Sequence, residues 1–105
     1  MKNTTEIKAT KYIVEVNTSQ DIDIIDSIEE REELKQLIDV EIEKALSEIE
    51  KYCKENKIDF DLIDNYRCTI TVDSWDKKES ALIKLYAIED KLLEETYISY
   101  EKIED

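Results

Sequence analysis

Apolar and polar side chains alternate over residues 7–16, IKATKYIVEV, with Tyr12, Val14 and Val16 on one side and Ile13 and Glu15 on the other. A period of two predicts a strand. The run ends at NTSQD, residues 17–21, a cluster of turn and cap formers. From residue 27 the period changes. Leu34, Leu37, Ile38, Ile42, Ala45, Leu46, Ile49, Tyr52 and Cys53 form one stripe on a 3.6-residue wheel, with Val40 pointing elsewhere. Ser27 followed by Glu30 matches a capping box, so the spacing predicts a helix over 27–56. Thr18 and Asp21 also fit a box, but Ile22 and Ile25 lie off the stripe, and residues 19–26 read as a turn or loop.

KIDFDLIDNY, residues 57–66, reads as a surface loop anchored by Phe60, Leu62 and Ile63. YRCTITVDSW, residues 66–75, alternates again, with Tyr66, Cys68, Ile70 and Val72 on the inward side. DKKE, residues 76–79, supplies a polar turn. SALIKLYAIEDKLLEETYISYEKI, residues 80–103, fits two patterns. As a hairpin, Ala81, Ile83, Leu85 and Ala87 face inward, Glu89 to Lys91 turn, and the remainder returns. As a helix, Leu82, Leu85, Tyr86 and Leu93 approximate a stripe capped by Asp76. The β-branched and aromatic content of TYISY favours strand at the far end, and the hairpin is adopted.

Three sequential strands joined by short turns predict an antiparallel meander, with the first strand joining one edge. The expected architecture is a single α+β domain over residues 1–105, in two layers and the order β–α–β–β–β. One long amphipathic helix packs against an antiparallel sheet. That order resembles cystatin-like, helix-grip arrangements.

Charge narrows the partners. The chain carries 28 acidic and 15 basic side chains, a net −13. Residues 15–64 hold −11 and 89–105 hold −5, whereas 1–14 carry +2 and 65–88 carry +1. Residues 27–56 contain ten carboxylates and five basic groups. The carboxylates flank the apolar stripe in two rows: Glu30, Glu41, Glu48 and Glu55 on one side, Glu32, Asp39, Glu43 and Glu50 on the other. Such acidity excludes binding to nucleic acid or anionic membranes through bulk electrostatics and favours basic partners.

Candidate chemistry is sparse. Histidine and glycine are both absent. The usual general base and the usual phosphate-cradling loop are therefore missing. Asp59, Asp61 and Asp64 suggest a calcium loop, but the spacing requires glycine and glutamate where the chain has Asp64 and Ile70. Cys53 and Cys68 fall on inward faces and read as core residues. No catalytic residue, metal ligand or cofactor is assigned. The N-terminal MKNTTEIKATK has no apolar h-region, and no stretch approaches the ~20 apolar residues of a membrane span. A cytoplasmic protein with reduced cysteines is expected. The scarcity of alanine and arginine, with four and two copies, points to an AT-rich genome such as that of a low-GC bacterium or its phages.

In composition and length, and in the acidic stretches SIEEREEL (27–34) and DVEIEKALSEIE (39–50), the chain resembles the small acidic anti-restriction and anti-CRISPR inhibitors of phages and mobile elements. Several of those act as DNA mimics. The resemblance implies an inhibitor that occupies a basic nucleic-acid-binding groove of a CRISPR effector or restriction enzyme, without contacting nucleic acid itself. The expected partner-binding residues are Glu30, Glu41, Glu48, Glu55, Asp59, Asp61, Asp64 and Trp75. A helix of about 30 residues spans roughly 45 Å, so its carboxylates are several-fold sparser than the charges of B-DNA, about one per 1.7 Å. Close mimicry therefore requires residues 59–64 and 89–105 to add their charge to the same surface. The alternative is a structural or regulatory homo-oligomer, a homodimer through the near-neutral 65–88, whose acidity only provides solubility. Trp75 either anchors such an interface or closes one end of the core.

Overall fold

The computed structural model describes residues 6–18, 27–94 and 96–103. The turn or loop expected at 19–26 lies outside the described residues. Six elements follow in order: β1 (Glu6–Thr18), α1 (Ile28–Glu55), β2 (Asp59–Leu62), β3 (Arg67–Ser74), α2 (Trp75–Glu89) and β4 (Thr96–Lys102). The sheet order is β2-β3-β1-β4, with every neighbouring pair antiparallel. The architecture is α+β with two helices, and its β–α–β–β–α–β order is that of a split βαβ, ferredoxin-like arrangement. The expected β–α–β–β–β order and its helix-grip likeness are corrected accordingly.

The correction comes from residues 75–89. Ala81 and Leu85 satisfy both the two-residue and the 3.6-residue period, so they decide nothing. Ile88 is buried as the helical spacing requires, while Ile83, which the hairpin needs inside, is 62% exposed. Ser74 rather than Asp76 caps the helix, its hydroxyl accepting from the Lys77 N–H at 3.2 Å. Only the TYISY end is a strand, and it pairs with β1 rather than extending a meander. β1 is consequently a central strand, not an edge. Residues 59–62, expected in a loop, form the short edge strand β2. Phe60 packs against the core, while Leu62 and Ile63 stay exposed.

α1 starts where its capping pattern places it, with the Ser27 hydroxyl accepting from the Glu30 N–H at 3.3 Å. It ends in a Schellman-type turn, the Ile58 N–H donating to the Cys53 carbonyl at 2.8 Å. In this glycine-free chain Lys57 takes the left-handed position, at φ 59°, a conformation that disfavours a residue with a Cβ.

The register places Tyr12, Val14, Cys68 and Ile70 on one face of the sheet, and α1 and α2 both cover that face. Ile38, Ile42, Leu46 and Ile49 of α1, with Ala81, Leu85 and Ile88 of α2, complete the core. Leu37, expected in the buried stripe, is exposed because that stripe centres on Ile38, Ile42 and Ile49. The opposite face carries Ile13, Glu15, Thr69 and Thr71, and neither helix packs on it. Two carboxylates secure the α2–β4 connection. Glu41 Oε1 accepts from the Leu93 N–H at 2.8 Å, and Glu89 Oε2 accepts from the Ile98 N–H at 2.5 Å. Since Ile103 N–H donates to Lys11 across the β1 side, Ile98 points its N–H to the outer edge, and Glu89 blunts that edge.

Cys53 and Cys68 are both buried free thiols. Burial pushes the Cys53 thiol up to about 11 and, with a smaller contribution from Cys53, the Cys68 thiol up to about 12. Protonated, enclosed thiols do not react. Iodoacetamide at pH 8 is expected to leave both cysteines of the folded chain unmodified and to label both in guanidinium, as read by mass spectrometry. Equal labelling rates in the two states would contradict the burial. The folded thiols also keep protons that the unfolded chain loses above its ordinary value of 9.0. Their contribution to stability therefore falls as pH rises from about 9 toward 12.

Candidate binding cleft

The eight expected partner-binding residues do not share one surface. Glu30 is exposed in the first turn of α1 and Glu55 at its last residue. Glu48 is exposed beside the α2–β4 connection, and Glu41 beside it is partly buried and committed to Leu93. The second Glu41 oxygen is buried without a hydrogen bond. Asp59 and Asp61 pair with Thr71 and Thr69, so they point to the sheet face away from α1. Trp75 opens α2 and is 50% exposed, with the Lys78 ammonium 5.0 Å from its ring centroid. It neither closes the core nor sits in a turn.

Asp64 has a structural task. Its Oδ1 accepts from the Tyr66 and Arg67 N–H groups, and its Oδ2 from Arg67 Nε at 3.0 Å and Nη2 at 2.8 Å. The Arg67 guanidinium, then the Tyr66 N–H, hold its carboxyl below the ordinary carboxylate range. The aspartate that resembled a calcium ligand instead shapes the β2–β3 turn.

What the fold does bring together is the other carboxylate row. Asp39, Glu43 and Glu50 stand at helical spacing on the α1 flank that faces β2, and Asp64 and Tyr66 stand across from them. Between them lies an open cleft of about 500 Å³, floored by Leu46, Phe60 and Leu62. Tyr66 Oη donates to Asp39 Oδ1 at 3.5 Å, closing one end. Glu50 is in an exposed pair with Lys54 at 3.3 Å, and Asp64 is occupied by Arg67. Among the described residues, Asp39 and Glu43 are the cleft carboxylates without an ion pair, and none of the residues lining the cleft is basic. Glu32, of the same row, lies outside the cleft. The sequence signal for this site was the helical spacing of 39, 43 and 50. What it lacked was the position of β2, which decides which flank of α1 is enclosed.

Among the described residues, no group of three or more cysteine, aspartate or glutamate side chains is arranged to hold a metal ion. The cleft carboxylates are spread along a wall rather than converging on a point. They suit several cationic side chains better than one ion, and the apolar floor suits the aliphatic stems of lysine and arginine. No described helix is long and apolar enough to cross a membrane. Comparison with protein families, curated proteins and solved structures gives no match.

Proposed function

We propose that the protein is a non-catalytic, acidic binding module that occupies a basic, nucleic-acid-binding groove of a partner such as a CRISPR effector or restriction enzyme, and so blocks its substrate. The observation that carries this reading is the acidic cleft with an apolar floor and no basic lining residue, on a chain of net −13. The net charge accelerates encounter with a basic groove. Lysine and arginine side chains that would grip phosphates then pair with Asp39, Glu43 and Glu50, while their stems cover Phe60 and Leu62.

The mode is competition rather than a copy of a duplex. Asp59 and Asp61 lie across the sheet from the α1 carboxylates, and Asp64, although it borders the cleft, is paired with Arg67, so residues 59–64 add little to the helix charge that close mimicry requires. The test is displacement of labelled duplex from a panel of CRISPR effectors and restriction enzymes at rising salt. Release of duplex and loss of cleavage at low salt are expected. Both should weaken above physiological ionic strength, where the Debye length falls below ~8 Å. If no member of the panel releases its duplex even at low salt, the inhibitor reading is withdrawn.

A further inference from the structure

α1 presents a second surface on the side turned away from the sheet. Glu30, Glu33, Leu37, Val40, Lys44, Ser47 and Lys51 follow one another at alternating steps of three and four, and all are exposed. That spacing makes a straight seam along a helix. Along the seam line itself the order is acid in the N-terminal half, apolar at the centre and base in the C-terminal half, with Glu43 and Glu48 on its two flanks. Leu37 is 61% exposed and Val40 50%. Beside them runs a groove of about 420 Å³ that reaches Ala45, Ile88 and Leu93.

We propose that this seam docks a second copy of the chain, α1 against α1, antiparallel about a two-fold axis near residues 38 and 39. In that register Leu37 of each copy meets Val40 of the other, and Glu33 of each meets Lys44 of the other. Glu30 of each meets Ser47, one turn from Lys51. A parallel pairing would set acid on acid and base on base, so the charge order selects the antiparallel one. It also selects the occupant, because a seam that is acidic at one end and basic at the other is complementary to itself. The chain as a whole repels its copies at net −13, and the seam line, with two glutamates and two lysines, is itself neutral, while Glu43 and Glu48 on its flanks keep the pairing weak. The apolar centre is small, and obligate dimers bury about 2,000 Å² or more. The dimer is therefore weak and reversible. Asp39 and Glu50 lie on the α1 flank toward β2, off the seam, and Ser47 borders both surfaces. The inference does not rest on the inhibitor reading.

Sedimentation equilibrium of the full chain tests it with a charge swap. Glu33→Lys alone and Lys44→Glu alone each place like charges at both symmetric contacts. Each should weaken dimerisation roughly tenfold, about the sum of two exposed pairs turned from attraction to repulsion. An equimolar mixture of the two variants restores opposite charges at both contacts, and it should dimerise as tightly as the parent. All these positions are exposed, and far-UV circular dichroism confirms that the variants fold. A parent chain that sediments as a monomer at every soluble concentration overturns the proposal and leaves the seam to another partner or to solvent. A mixture that binds no more tightly than its components overturns it as well.

Discussion

Ile49→Asp should abolish the cooperative thermal unfolding transition. Ile49 is 3% exposed and lies at the centre of the α1 face that covers β1 and β3. Removing its side chain would by itself cost about 2–5 kcal/mol. A carboxylate there stands among Cys53, Ile70, Ala81 and Leu85, while the nearby Lys84 ammonium lies over the Tyr52 ring, and an unpaired buried charge adds several kcal/mol more or forces protonation. The sum rivals the whole stability of an ordinary small domain, about 5–15 kcal/mol. Val40→Asp, at a half-exposed position on the same helix, should shift the melting temperature by only a few degrees. The measurement is a melt at neutral pH followed at 222 nm. A sharp transition near the parent's in Ile49→Asp would refute the packing of α1 on the sheet.

The second large effect is on binding. Reversing Asp39, Glu43 and Glu50 together to lysine should slow association with a partner identified by duplex displacement, by roughly tenfold to a hundredfold at low salt. Complementary charge acts mainly on the encounter rate. The fold should survive, because Asp39 and Glu43 are exposed and Glu50 makes only an exposed pair. Glu41 is left intact, since its bond to Leu93 holds the α2–β4 connection. The control is Asp59→Lys with Asp61→Lys, the same chemistry on the opposite sheet face. Stopped-flow association rates separate the outcomes. Loss confined to the triple variant assigns the contact to the cleft, and equal loss per charge assigns it to net charge alone. No loss in either makes the carboxylates a solvated surface.

Local order was legible where one period acted alone. β1 and β3 alternate, and α1 combines a cap with a long stripe, so their positions followed from spacing. α2 was obscured because positions four apart, such as Ala81 and Leu85, serve both periods, and the discriminating Ile83 and Ile88 are both isoleucine. The order of strands was not legible, because Tyr12 pairs with Ile70 and Lys102 by packing that no short window contains. The same limit applied to the site. Both carboxylate rows of α1 were readable, but enclosure of the Asp39 row depends on where β2 lies. Glu41 and Asp64 looked like surface charge, yet each accepts backbone hydrogen bonds from a distant or neighbouring turn, which composition does not reveal.

The central place of β1 has a consequence for synthesis. The first strand made is flanked by two that are made much later, and its apolar residues Val14 and Val16 have no sheet neighbours until β3 and then β4 leave the ribosome. α1 and the β2–β3 hairpin can form from local contacts while the chain is still growing. The sheet is complete only once β4 has emerged. Such high contact order slows folding relative to a helical protein of equal size.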